Sequence, residues 1–154
     1  MIRPALPEDV PVLLELVREL AAYEREPDAV RAGADDLARA LFVEHTCSAH
    51  VAVQGDQVVG FALWYPTFST WEGRPGLWLE DLFVRPPARG TGLGRDLLRA
   101  LARVCVERGW TRFEWWVLDW NEPAIGFYRS LGAVPQSDWT TYRVDGDALR
   151  RLAG

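Results

Sequence analysis

Apolar residues recur at spacings of three and four from Val10 through Leu13, Leu14, Val17 and Leu20 to Ala21. That period predicts an amphipathic helix running to about Tyr23. Leu6-Pro7-Glu8-Asp9 opens it, with proline near the first turn and two acids at its positive end. A shorter helix is expected over Asp35 to Val43, and residues 2–4 read as a short extended start. The pattern then changes. Ser48 to Gln54 and Gln57 to Tyr65 are apolar, β-prone runs joined by Gly55-Asp56, a hairpin signal. Gly76 to Val84 predicts another strand, with Glu80 and Asp81 adjacent inside an otherwise apolar run. Leu97 to Val106 predicts an apolar helix ended by Gly109. Arg112 to Leu118 predicts a strand, Pro123 to Leu131 a helix ended by Gly132, and Trp139 to Val144 a last strand. Strand and helix alternate from residue 76 onward, which points to a mixed α/β sheet with helices on both faces.

The chain has 154 residues, no linker and no repeat, so one domain spanning 1–154 is expected. Charge narrows the partners. Seventeen basic residues face 22 acidic ones, for a net charge of −5. That balance argues against nucleic acid and suits a cationic ligand. Every basic residue is arginine, which removes Schiff-base chemistry, a lysine base and the phosphate loop that needs lysine. Cys47 and Cys105 have no metal-ligand spacing and read as reduced thiols. His45 and His50 form no zinc motif, and no serine sits in a nucleophile elbow. No apolar run approaches the length of about 18 residues that spans a membrane, and Met1-Ile2-Arg3-Pro4 begins no signal peptide. A cytoplasmic protein without metal or membrane partner is expected.

The chemistry concentrates between Glu80 and Gly94. A strand ends, a proline-bearing loop follows, and Gly90, Gly92 and Gly94 open a helix. Glycines let backbone approach an anion closely, and the free N–H groups of a first helical turn point at it along the helix dipole. Arg89 can add a charge-assisted contact. The G-x-G-x-G spacing is not that of a dinucleotide fold. A plain flexible strand-to-helix turn is the competing reading. Glu80 and Asp81 alternate faces on a regular strand, so one of them can face a cleft.

Arg89-Gly90-Thr91-Gly92-Leu93-Gly94 resembles the acetyl-CoA signature of the GNAT superfamily of N-acetyltransferases. Asn121-Glu122-Pro123-Ala124-Ile125-Gly126-Phe127-Tyr128 with Leu131-Gly132-Ala133 resembles its second signature. Ile2 to Ala5, Glu19 to Glu24, Trp71, Leu79 to Val84 and Trp120 to Pro123 are similar to the diamine (spermidine/spermine) acetyltransferase branch in particular. That branch also holds enzymes for thialysine and other amines.

The resemblance implies a mixed, mostly antiparallel sheet of about seven strands, splayed in a V between the fourth and fifth. Acetyl-CoA would lie in the V. The backbone from Arg89 through Gly90, Thr91, Gly92, Leu93 and Gly94 to Arg95 would meet its pyrophosphate, and Leu82, Phe83 and Val84 would flank its pantetheine arm. The N–H of Phe83 or Val84 would face the thioester carbonyl, and Asn121 and Ala124 would add contacts. Ala124 departs from the serine common at that position, and Asp138 only loosely matches the family's acid after the last helix. Tyr128 is the implied general acid for the departing sulfur, since a phenol there can protonate a thiolate. The amine must arrive neutral although alkylamines hold their proton to about pH 10, so a base is needed; Glu80 is the candidate. Tyr23, Glu24, Trp71, Glu80 and Asp81 are the implied contacts to a small amine substrate, Trp71 through cation–π attraction. The branch also implies a homodimer. Thialysine, another diamino acid or a different amine stands as the alternative acceptor. A CoA-binding module without turnover is the non-enzyme reading.

Overall fold

A computed structural model describes residues 1–154. The chain forms two compact units, Met1–Trp116 and Val117–Gly154. In the first, five strands lie in chain order: β1 (Ile2–Pro4), β2 (Ser48–Gln54), β3 (Gln57–Ser69), β4 (Arg74–Val84) and β5 (Phe113–Glu114). The first four pair antiparallel, and β5 joins β4 in parallel. The expected mixed, mostly antiparallel sheet is therefore present.

Helix α1 (Val10–Tyr23) follows a 3-10 turn at Pro7–Asp9, and α2 (Ala34–Phe42) comes next. Leu13, Leu16 and Leu20 of α1 and Leu41 of α2 bury themselves against Ala49, Val51, Phe61 and Phe83 of the sheet. This apolar stripe at helical spacing, meeting alternate strand residues, is the core on one face. Helix α3 (Leu93–Arg108) packs on β1 through β4, burying Leu97, Leu98, Leu101 and Cys105. Trp64 of β3 lies edge-on to Trp110, just past the end of α3, 6.2 Å away. No helix is long and apolar enough to cross a membrane.

The start of α1 is pinned by one ion pair. Arg3 of β1 grips Asp9 through two hydrogen bonds of 2.6 and 2.9 Å, and the Leu6 amide donates to the same carboxylate at 2.8 Å. Asp9 is only 5% exposed. These donors hold its carboxyl below the ordinary aspartate range, the Arg3 hydrogen bond being the main cause.

Two expectations change. Strands β3 and β4 form a longer hairpin than expected, pairing out to Ser69 and Arg74 across Pro66 and Pro75. Beyond Trp64, β3 has no β2 partner, and such an edge tolerates proline. The sheet also has five strands, not about seven. The 112–118 run ladders only at Phe113–Glu114, and residues 139–144 form no strand. β-prone side chains fit a pleated surface but cannot supply the partner backbone a strand requires.

The second unit holds α4 (Glu122–Ser130) and α5 (Gly146–Ala153). Helix α5 was not anticipated. Asp147 in its first turn and Arg150 and Arg151 in its last suit the helix dipole.

Candidate active site

The ladder between β4 and β5 consists of Leu77↔Phe113 and Trp78↔Glu114. From Leu79 to Val84 the same edge of β4 has no strand beside it, although β3 still pairs on the other side. This is where the sheet was expected to part, and the candidate residues of the first unit other than Trp71 lie on or beside this stretch.

The β3–β4 register slips in the middle of this stretch. Leu63 opposes Asp81 and Trp64 opposes Leu79, so Glu80 is the extra residue of a β-bulge. A bulge breaks the period of two and turns two consecutive side chains to one face. Phe61 and Leu63 belong to the core beneath α1, and Phe83 and Asp81 lie directly opposite them. Tyr65 keeps that face, and its hydroxyl donates to Glu80 Oε2 at 3.2 Å. Trp78, opposite Tyr65, donates its indole N–H to the same oxygen at 3.0 Å. Glu80 and Asp81 therefore share a face, and the expected alternation is corrected.

Their environments differ. Glu80 is exposed, while Asp81 is partly buried. The Asp81 carboxyl is pushed up to about 7, first by burial and then by the negative charges of Glu80 and Glu24. Glu24 closes α1, its amide donating to the Leu20 carbonyl at 2.9 Å. Burial raises its carboxyl too. Glu24, Glu80 and Asp81 enter no ion pair with an arginine. The fold thus gathers three of the expected substrate contacts into one acidic surface with no cation of its own. Trp71 is not among them. It sits at the tip of the β3–β4 hairpin, 81% exposed. Six residues of strand separate Arg74 from Glu80, a span of roughly 20 Å.

Main-chain direction along the open edge follows from one bond. The Arg85 amide donates to the Val59 carbonyl at 2.8 Å, across to β3. In an antiparallel ladder the facing alternates, so Phe83 also turns its amide toward β3, while Leu82 and Val84 turn theirs outward. Of the two amides expected to meet a thioester carbonyl, only that of Val84 lies on the open edge. The Val84 carbonyl accepts a 2.8 Å bond from Arg89 Nε. The guanidinium lies 5.1 Å from the Tyr23 ring centroid and 5.4 Å from that of Phe83. Arg89 thus turns its side chain back onto β4.

The turn between β4 and α3 is shaped for an anion. Pro86–Ala88 form a 3-10 turn, and Thr91 Oγ1 donates to the Ala88 carbonyl at 2.7 Å. Gly90 and Gly92 adopt left-handed backbone, with φ of 77° and 88°, and no atom lies within 4 Å of where a Cβ would stand. A side chain there would strain the backbone and occupy that open space. The Asp96 amide donates to the Gly92 carbonyl at 2.9 Å, the first bond of α3. The amides of Leu93, Gly94 and Arg95 precede it and have no intrahelical acceptor. They form, with the glycine backbone, a cradle that fits a phosphate group.

In the second unit, Tyr128 lies on α4 with its ring 5.6 Å from that of Phe127. Asn121 is buried at the start of α4, and its carbonyl accepts from the Ile125 amide at 3.0 Å. Asn121 stands at the N-cap position of α4, and its side chain makes no capping bond there. Ala124 lies in the first turn.

Sequence reasoning missed Tyr65 and Trp78 as partners of Glu80. The Trp116 ring meets that of Trp78 edge-on at 5.3 Å. The Trp78-x-Glu80 spacing was the available signal, since residues two apart on a strand share a face.

Comparison with known proteins agrees with this geometry. Residues 13–133 match the model of the acetyltransferase (GNAT) family. The chain is 38% identical to the thialysine N-epsilon-acetyltransferase of Bos taurus, covering 100% of this chain and 97% of that protein. It is 33% identical to the spermidine/spermine N(1)-acetyltransferase-like protein 1 of Homo sapiens, covering 99% of this chain but 23% of that longer protein. Among solved structures, an integron cassette protein from the mobile metagenome of V. cholerae superposes with a TM-score of 0.83 at 31% identity, covering 99% of this chain and 96% of that one.

Proposed function

The chain belongs to the acetyltransferase (GNAT) family and is an N-acetyltransferase, and from that premise we propose that it moves an acetyl group from acetyl-CoA to a primary amine of a small polyamine or diamine. The observation that carries the acceptor class is the acidic surface of Glu24, Glu80 and Asp81, which has no arginine partner. Like charges gathered without a counter-ion are unfavourable. A cationic substrate supplies the missing charge.

Acetyl-CoA brings the activated acyl group as a thioester. The amides of Gly90 to Arg95 hold its diphosphate, and the open edge of β4 at Leu82 and Val84 takes the arm. The Val84 N–H serves as donor to the carbonyl that becomes negatively charged during attack. Tyr128 holds a proton at its hydroxyl for the departing sulfur. Glu80, the exposed member of the acid pair, accepts the proton that the ammonium must lose. Beside it, burial and the neighbouring acids push the Asp81 carboxyl up to about 7, so Asp81 can exchange a proton near neutral pH.

End-to-end similarity to thialysine N-epsilon-acetyltransferases favours a second acceptor, a diamino acid. Thiol release from acetyl-CoA with spermidine, putrescine, thialysine and lysine separates the two. Turnover with none of them, alongside CoA binding, removes the amine-transfer reading. Tyr128→Phe is expected to lower kcat about 100-fold and leave acetyl-CoA affinity unchanged. Native kcat in that variant takes the acid role from Tyr128.

A further inference from the structure

We propose that Tyr65 and Trp78 are positioning residues for the transfer reaction, holding one oxygen of Glu80 so that the other is presented to the incoming ammonium group. The inference rests on the reading of Glu80 as proton acceptor.

The geometry is specific. Tyr65 of β3 and Trp78 of β4 are direct cross-strand partners. Both donate to Oε2 of Glu80, at 3.2 and 3.0 Å. Neither bond uses Oε1. The bulge brings this arrangement about: with Glu80 as the extra residue, its side chain falls on the Tyr65 and Trp78 face and not on the Trp64 and Leu79 face. Trp116, edge-on to Trp78 at 5.3 Å, sets the indole plane that aims the N–H.

Stability gives little reason for such a clamp. Glu80 is exposed, and fixing a long exposed side chain costs rotamer entropy that a solvated hydrogen bond scarcely offsets. Transfer chemistry supplies a reason. A base must sit at hydrogen-bond distance from the proton it takes, and a freely rotating glutamate occupies that position only part of the time. Two neutral donors on one oxygen fix the carboxylate plane without supplying a cation that would repel the substrate. Burial and the Glu80 charge both raise the Tyr65 phenol above its ordinary range, so it stays a donor at working pH.

Steady-state kinetics on four variants test this, using the best amine of the panel. Tyr65→Phe and Trp78→Phe are each expected to lower kcat about tenfold, with the acetyl-CoA KM and the melting temperature near native values. In the Glu80→Gln background, adding Tyr65→Phe is expected to change kcat no further, because the clamp then has nothing to aim. A native kcat in both Tyr65→Phe and Trp78→Phe, with Glu80→Gln impaired, overturns the positioning role and leaves the Glu80 reading intact. The same holds if Tyr65→Phe costs as much in the Glu80→Gln background as in the native enzyme. If Glu80→Gln itself keeps full kcat, the base assignment fails and the inference fails with it.

Discussion

Two aspartates stand at opposite ends of α1, and the fold treats them in opposite ways. Asp9, before the first turn, is sealed from water, gripped by Arg3 and bonded by the Leu6 amide. Asp81, within the field of Glu24 at the helix's other end, has two acids for neighbours and no arginine. The first carboxyl is driven below its ordinary range and the second up to about 7. A carboxylate that serves the fold comes with its cation. On the proposed function, one kept for an amine is left without it, and a bound cationic substrate would recover the cost of that repulsion.

The contrast is broken most forcefully at the closed end. Arg3→Ala leaves a buried, uncompensated charge at Asp9, and we expect a loss of about 3 kcal/mol in urea unfolding at pH 7. A loss below about 1 kcal/mol would mean that Arg3 is screened by water and does not pin the helix. The sign with pH follows from the lowered Asp9 carboxyl. Its contribution is present above the unfolded value of 3.8 and is lost as pH falls through the folded one. Arg3→Ala and native protein should therefore converge in acid.

At the open end the sign reverses. A carboxyl at about 7 in the folded state and 3.8 unfolded binds its proton more tightly when folded. Its contribution is complete below 3.8 and disappears as pH rises to 7. Asp81→Asn should match native stability near pH 4 and exceed it at pH 8. Holding a carboxyl at about 7 in place of 3.8 corresponds to about 4 kcal/mol when water is fully excluded; with partial solvent access we expect about 2 kcal/mol. Thermal melts that keep the two proteins equal from pH 4 to 8 would show that Asp81 carries no such strain.

How much of this contrast the residues themselves disclosed depends on how local each cause is. The α1 stripe, the β2–β3 hairpin and the glycine turn rest on spacings within a few residues, and each formed where expected. The shared face of Glu80 and Asp81 rests on the slip between Leu63 and Trp64, 16 or more positions away. Nothing in the Leu79-Glu80-Asp81-Leu82 run marks a bulge. Length of pairing was equally hidden: β5 stops at Glu114 because neighbouring backbone, not β propensity, ends it. The direction of Arg89 was set by a carbonyl that becomes available only once β4 has lost its partner strand. Trp71, expected from the resemblance and from cation–π attraction, sits at the hairpin tip, where pairing far along the strands carries it away from the acids.

The smallest effect isolates charge from packing. Glu24 touches neither Glu80 nor Asp81 through a hydrogen bond. It acts on Asp81 through space, as the third cause after burial and Glu80. Glu24→Gln keeps the shape of the α1 terminus and removes one negative charge. Asp81, whose carboxyl is pushed up to about 7, then loses its proton more readily, so an acid limb of kcat/KM that follows Asp81 should move to lower pH by about half a unit. The amine's own titration near pH 10 lies clear of that limb. Raising the salt concentration should shrink the displacement, because the interaction crosses a partly solvated gap. An upward or absent displacement would mean that Glu24 does not face Asp81 in solution, and the open end of α1 would then hold two acids and not three.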